Sequence, residues 1–273
     1  MDYLRYRIET DPATAEILLA FLSELPFDSF EETEAGLDAY LANDAKRNAV
    51  DLDLKKLQTS YTFYFQVEKI PHRNWNAEWE ANFQPVQVGK FCGIRADFHP
   101  PMPDVRYELV INPKMAFGTG HHETTHMMIQ MMRELSLKGA KALDYGCGTG
   151  ILAILAAKLG ASAIDAVDIE AEAYQNTLEN AQINHVHNIQ VIHGTLPNVL
   201  DSEYDVILAN INRNVILDSF SALHQKLKRN GVLLISGILQ KDLGAMQSHI
   251  RKYRFTLDEK LERGGWMCLK LLK

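Results

Sequence analysis

The stretch Lys141-Ala142-Leu143-Asp144-Tyr145-Gly146-Cys147-Gly148-Thr149-Gly150, followed by the apolar run Ile151-Leu152-Ala153-Ile154-Leu155, decides the fold of this 273-residue chain. Residues 141 to 144 read as the end of a strand, and the run through Leu159 as a helix. Three glycines between them let the backbone turn sharply and approach a ligand, while the helix start offers unpaired N–H groups and a positive dipole end. A carboxylate suits that position. The G-x-G-x-G spacing departs from the G-x-G-x-x-G of dinucleotide binders, which counts against a pyrophosphate.

Downstream the βα rhythm persists. A strand over Ala163 to Val167 ends at Asp168, 18 residues past Gly150 and near the spacing of a ribose-binding acid. The plainer reading of Asp168 is a helix N-terminal acid beside Ile169. Strands at Ile189–Ile192 and Tyr204–Ala209 follow, the latter ending at Asn210. After an amphipathic helix come the buried-strand run Gly231–Gly237, a helix over about 240–252, and strands near 255–261 and 266–272. Together these predict an α/β, doubly wound Rossmann-like sheet with a terminal hairpin.

The N-terminal third has a different pattern. Residues 3–10 alternate as a strand, and Asp11-Pro12 supplies an N-cap and first-turn proline for a helix through Leu22 that Pro26 ends. Strands at Phe27–Glu32 and Leu37–Ala42, a polar helix over 44–57, and a strand alternating Tyr61, Phe63, Phe65 and Val67 complete a β-α-β-β-α-β order. That is the split arrangement of a smaller α+β ferredoxin-like domain. It serves either as a structural appendage or as a docking module for a macromolecular substrate. Residues 70–104 combine a short helix carrying Trp75, Trp79 and Phe83 with strand-like pieces near Val86 and Ile94, before Pro100, Pro101 and Pro103 interrupt them. The expected organisation is 1–69, a linker over 70–104, and a catalytic domain over 105–273.

Composition excludes several classes. With 47% hydrophobic and 23% charged residues the chain is neither disordered nor fibrous. No apolar run is long enough for a membrane span, and the start lacks the pattern of a signal peptide, so a cytoplasmic protein is expected. Cys92, Cys147 and Cys268 are too few and too scattered for a disulfide framework. The formal charge of -7 opposes direct nucleic-acid binding and favours basic partners.

The segment Asp144-Tyr145-Gly146-Cys147-Gly148-Thr149-Gly150, then Asp168, then Asn210 after an apolar strand resembles the successive motifs of class I methyltransferases. Upstream, Ile111-Asn112-Pro113-Lys114-Met115-Ala116-Phe117-Gly118-Thr119-Gly120-His121-His122-Glu123-Thr124-Thr125 and Asn74-Trp75-Asn76-Ala77-Glu78-Trp79 resemble the ribosomal protein L-eleven methyltransferases of bacteria. The resemblance implies S-adenosyl-L-methionine as cofactor, and methylation of lysine and N-terminal amines of a large-subunit ribosomal protein that the N-terminal domain recognises. It implies that Thr125, Gly146, Gly148, Asp168 and Asn210 hold the cofactor. The Phe117-Gly118-Thr119-Gly120 loop would close over it, with Asn210 also catalytic. One departure is Asn210-Ile211-Asn212-Arg213, where related amine methyltransferases carry Asn-Pro-Pro and an aromatic residue. A monomer is the expected state.

Rival readings exist. His122-Glu123-Thr124-Thr125-His126 fits the H-E-x-x-H zinc signature. Its position directly after Gly118-Thr119-Gly120 and the want of a third ligand at a recognisable spacing argue against metal, so none is expected. His121 is a candidate base, although paired loop histidines more often serve hydrogen bonding. Two other functions fit the motifs: a nicotinamide-dependent oxidoreductase, which the glycine spacing disfavours, and a non-catalytic ribosome-binding protein that retains the cofactor pocket. Methyl transfer to an amine asks mainly for positioning of a deprotonated nitrogen, with Asn210 and nearby backbone carbonyls holding its hydrogens.

Overall fold

The structure, a computed structural model, describes residues 3–33, 35–41, 47–70, 84–112, 117–199 and 203–273. The chain separates into two compact units, Met1–Asn82 and Phe83–Lys273.

In the first unit, β1 (Tyr3–Glu9), β2 (Ser29–Thr33), β3 (Gly36–Leu41) and β4 (Tyr64–Ile70) form an antiparallel sheet in the order β2-β3-β1-β4. This is the ferredoxin-like order, in which each of two βαβ crossovers skips one strand. Period-two alternation buries Leu4, Tyr6 and Ile8 of β1 against Leu18 and Leu22 of one helix (Pro12–Leu22) and Val50 and Leu54 of the other (Arg47–Leu57). Asp11 caps the first helix by accepting from Ala13 and Thr14 N–H. That helix stops at Leu22, where Ser23 Oγ bonds back to Leu19 O, before Pro26 is reached. The expected alternation at the end of the unit is present, with Phe63 buried and Tyr64 exposed.

The second unit opens with a three-stranded sheet, β5 (Val86–Val88), β6 (Cys92–Arg95) and β7 (Tyr107–Val110). Here β6 pairs in parallel with β7. Val86–Val88 and Cys92–Arg95, within the expected linker, therefore belong to a sheet shared with Tyr107–Val110. The expected aromatic helix at 75, 79 and 83 lies outside the described residues.

The larger sheet runs β10-β9-β8-β11-β12-β14-β13. Its strands are β8 (Lys141–Tyr145), β9 (Ala163–Asp168), β10 (Ile189–His193), β11 (Tyr204–Asn210), β12 (Leu227–Leu239), β13 (Thr256–Arg263) and β14 (Trp266–Leu272). The first five are parallel; β14 runs antiparallel to β12, and β13 to β14. Both faces are covered. Along β11, Val206 and Leu208 join the core containing the helices Glu123–Met132 and Ile151–Lys158, whereas Ile207 and Ala209 join the core containing Arg213–Lys226 and Leu243–Lys252. Burial on both faces explains why these strands read as continuous apolar runs. The doubly wound sheet with its terminal hairpin matches the expectation. β12 extends beyond the expected Gly231–Gly237 in both directions and shifts register between Ser236 and Ile238.

Candidate active site

Strand order reverses on either side of β8, and such a switch point opens a crevice beyond the carboxyl ends of the strands. A cleft of about 910 Å³ lies there. Tyr145 and Gly146 at the end of β8, Asp168 at the end of β9 and Asn210 at the end of β11 all line it. Register holds these ends level, with Ala209 opposite Tyr145, Tyr145 opposite Val167, and Asn210 opposite Ser236.

The glycine loop admits no side chain at two points. A Cβ on Gly146 would stand 2.1 Å from Ile211 Cγ2, and one on Gly148, where φ is +55°, would stand 2.2 Å from Phe117 O. The second contact brings the Phe117 segment onto the loop: Thr149 N–H donates to Phe117 O at 2.9 Å and Thr149 Oγ1 to Gly118 O at 2.7 Å. Behind the loop, Asp144 is fully buried and accepts from Ala153 N–H at 3.0 Å through Oδ2, while Oδ1 has no hydrogen-bond partner among the described residues. Burial pushes its carboxyl up to about 7, against the opposing pull of the Ala153 bond.

Asp168 holds the next corner. Its Oδ2 accepts from Gly148 N–H at 2.9 Å and its Oδ1 from Glu170 N–H at 3.1 Å. A carboxylate has about four lone-pair directions, so each oxygen keeps capacity for one more donor. Beside it Ile169 is 64% exposed, an apolar surface within a cleft that Glu170 and Glu172 also line. At the opposite side Asn210 Nδ2 donates to the fully buried Thr125 Oγ1 at 3.3 Å, and Asn210 Oδ1 is buried without a partner among the described residues. Asn212 does not face this duty: its side chain caps the helix Arg213–Lys226 by accepting from Val215 N–H.

The expected residues Phe117, Gly146, Gly148, Asp168 and Asn210 thus converge on one cleft, with Thr125 directly behind Asn210. Gly118 and Thr119 do not line it. Gly118 O is occupied by Thr149, and Thr119 Oγ1 lies 3.1 Å from His121 Nδ1, whose other nitrogen is 2.9 Å from Gln84 O. These contacts turn both residues toward the scaffold. In the H-E-x-x-H stretch, His122 has extended backbone and sits at the N-cap, where its Nδ1 accepts from Thr124 N–H. Its ring lies edge-on to Phe117 and Trp266, 5.4 and 4.9 Å between centroids. Glu123 pairs with Arg263.

Several contributors lie outside the residues that the sequence singled out. Trp266 lines the cleft from the terminal hairpin, 56 residues past Asn210. Asn176, Asn180 and Asn184, spaced one helical turn apart on and just after the helix Ala171–Ile183, form a buried ladder. Asn180 Nδ2 donates to Thr149 O while its Oδ1 accepts from Asn112 N–H; Asn176 Nδ2 donates to Asn112 O, and Asn184 bonds both backbone groups of Val110. With Thr177 Oγ1 donating to Gly148 O, this ladder ties the glycine loop to Val110 and Asn112. An i, i+4, i+8 asparagine stripe on an otherwise amphipathic helix was the available sign.

Comparison with known proteins bears on this arrangement. The family model described as "Ribosomal protein L11 methyltransferase (PrmA)" matches residues 16–273. A ribosomal protein L11 methyltransferase of Porphyromonas gingivalis is 41% identical, covering 99% of this chain and 97% of that protein. One of Chlorobaculum tepidum is 34% identical over 97% and 95%. Among solved structures, a ribosomal protein L11 methylase from Lactobacillus delbrueckii subsp. bulgaricus superposes with TM-score 0.63 at 30% identity, covering 69% of this chain and 98% of that one. A Pyrococcus furiosus methyltransferase, 15% identical with TM-score 0.52 over 60% of this chain and 88% of its own, shares the fold.

Proposed function

As a chain that belongs to the ribosomal protein L11 methyltransferase family, this protein, we propose, transfers methyl groups from S-adenosylmethionine to lysine side-chain or N-terminal amines of that large-subunit ribosomal protein. The observation that carries this reading is Asn210: a buried carboxamide oxygen without a partner among the described residues, at the strand end beside a glycine loop, its amide nitrogen tied to Thr125.

The residues present suit the cofactor. Asp168 has lone pairs left for two ribose hydroxyls, and Ile169 offers an apolar face for a purine. The Gly146–Gly150 turn brings bare backbone to a helix start, where a carboxylate is favoured. Glu170 and Glu172 give the cleft a negative wall, favourable to a cationic ligand.

When bound, S-adenosylmethionine supplies a methyl group on a positively charged sulfur. The chain's own task is then to present a neutral nitrogen in line with that carbon. The amine would give up its proton to water beforehand, so that as the N–C bond forms and the C–S bond breaks the positive charge would pass from sulfur to the methylated nitrogen. Asn210 Oδ1 accepts one amine hydrogen and so aims the lone pair, and Thr125 holds Asn210 in that rotamer. No ionised side chain is needed to take the proton, because a lysine amine with reference pKa about 10.4 must already be neutral to attack.

The ferredoxin-like unit, carrying no constellation of catalytic groups in its described residues, is assigned to docking of the protein substrate. Among the described residues no helix is long and apolar enough to cross a membrane.

The test is direct. The purified chain is incubated with S-adenosylmethionine and ribosomal protein L11, and intact-mass and peptide spectra are recorded. Whole-methyl mass increments at amines are expected, with stoichiometric S-adenosylhomocysteine. Binding of both ligands without turnover would instead identify a non-catalytic ribosome-binding protein.

A further inference from the structure

Glu123 opens the helix Glu123–Met132, one residue after the capping His122. Its Oε2 accepts a hydrogen bond from Nε of Arg263, the last residue of β13 and 140 positions distant. Across the hairpin, Arg263 is the register partner of Trp266, the first residue of β14. Only Gly264 and Gly265 intervene, and a Cβ on Gly264 would lie 3.1 Å from Glu123 Cγ, so the turn passes directly over that side chain. The helix start and the hairpin turn are therefore clasped together where each delivers an aromatic ring. Trp266 meets His122 at 4.9 Å, His122 meets Phe117 at 5.4 Å, and all three line the cleft.

The pair is too exposed to matter much for stability, with side chains 49% and 39% accessible. Its consequence is geometric. Strand β14 lies beyond β12 and β11 from β8, on the Asn210 side of the glycine loop, whereas Asp168 and Ile169 belong to the β9 side. A displaced hairpin would therefore move the wall next to Asn210 and leave the ribose corner alone. One turn further along the helix, the His126 imidazole is lowered from its ordinary value by burial and then by the Arg263 charge, with Glu123 opposing.

We propose that Glu123 and Arg263 are positioning residues for the methyl acceptor, their ion pair setting Trp266 against His122 at the acceptor side of the cleft. This rests on the methyl-transfer reading. Neither residue touches the acceptor; both act through the rings they align.

A double-mutant cycle in the full chain tests it, using Glu123→Gln, Arg263→Gln and the two combined. Ribosomal protein L11 serves as acceptor and S-adenosylhomocysteine as the cofactor probe. Each single change should raise the acceptor KM about three- to fivefold, the most that an exposed pair of up to about 1 kcal/mol can shift the placement of the wall, with kcat and the S-adenosylhomocysteine Kd unchanged. The double variant should be no worse than either single one, and Arg263→Lys should recover most of the loss. A second readout needs no turnover: with Trp75→Phe and Trp79→Phe, Trp266 is the sole indole, and its emission should shift alike in all three cycle variants. Native KM and native emission in the single variants, or losses that simply add in the double, overturn the proposal. If the unaltered chain transfers no methyl group, the functional reading fails, and the emission cycle still decides whether the pair sets Trp266.

Discussion

Asn210 and Thr125, 85 residues apart in sequence, are joined by a 3.3 Å hydrogen bond from Nδ2 to Oγ1, which fixes the carboxamide with its oxygen buried and without a partner among the described residues. An unmet buried acceptor costs about 1 to 3 kcal/mol, so its retention at a cleft wall supports the proposed role of taking a hydrogen from the amine acceptor.

Replacing Asn210 with Ala should lower the single-turnover methyl-transfer rate about 10²-fold at saturating cofactor. The exposed Asn214→Ala change should leave it near native. Thr125→Val, which removes only the acceptor of the 3.3 Å bond, should produce an intermediate loss. In all three the rate should rise with pH, because the lysine amine, with reference pKa about 10.4, reacts when neutral. Rapid-quench measurements across pH check both effects. A pH-independent rate with an unaffected Asn210→Ala enzyme would remove the orienting role.

For Asp168→Ala, calorimetry should show cofactor affinity reduced by about 1.5 to 3 kcal/mol, the loss expected when ligand hydroxyls forfeit an ionised acceptor. The same carboxylate receives Gly148 N–H and Glu170 N–H. Asp168→Asn, which keeps acceptor capacity but not charge, should therefore retain more affinity than the alanine variant. Equal affinities in native and variant proteins would leave Asp168 a loop-bracing residue only.

Gly148 and Gly89 both have φ of +55°, but a Cβ on Gly148 meets Phe117 O at 2.2 Å whereas one on Gly89 meets nothing within 4 Å. The conformational strain of alanine is thus common to both, about 1 to 2 kcal/mol. Gly148→Ala should lower the melting temperature further than Gly89→Ala and alone should weaken cofactor binding. Calorimetric melting and titration of the two variants measure the difference. Matching losses would mean the Phe117 segment yields without consequence.

Asp144 should make stability depend on pH. Its folded carboxyl titrates at about 7 against an ordinary value of 3.8. Between those values the folded chain keeps a proton that the unfolded chain has released, so stability falls as pH rises through the window and levels above it. Relative to Asp144→Asn, the native protein should lose roughly 3 kcal/mol between about pH 5 and about pH 8. Urea unfolding of both proteins at the two pH values checks this, and a constant gap between them would contradict it.

Local signals made much of this protein legible. A glycine triplet between an apolar strand and an apolar helix needs no distant partner to be recognised, since its turn geometry is set within ten residues. Asp168 and Asn210 could be placed because each follows an apolar strand, and parallel strands all deliver their C-terminal residues to one edge of the sheet. The β-α-β-β-α-β order of the N-terminal unit was readable from alternation and one strong cap at Asp11 for the same reason.

Side-chain partners were a different matter. Nothing near Glu123 indicates that it pairs with Arg263 rather than serving as a base beside two metal-binding histidines, and nothing near Asn180 indicates that it bridges Thr149 and Asn112. The sequence by itself determined which segments are strands and helices and which residues stand at the sheet's carboxyl edge, because backbone periodicity and steric limits act over a few residues. Only the tertiary structure decided that Thr125 steadies Asn210, that an asparagine ladder braces the glycine loop, and that Trp266 walls the cleft. Those contacts join residues about 30 to 140 positions apart, and their existence depends on how whole layers pack, a property that burial of both sheet faces enforces collectively.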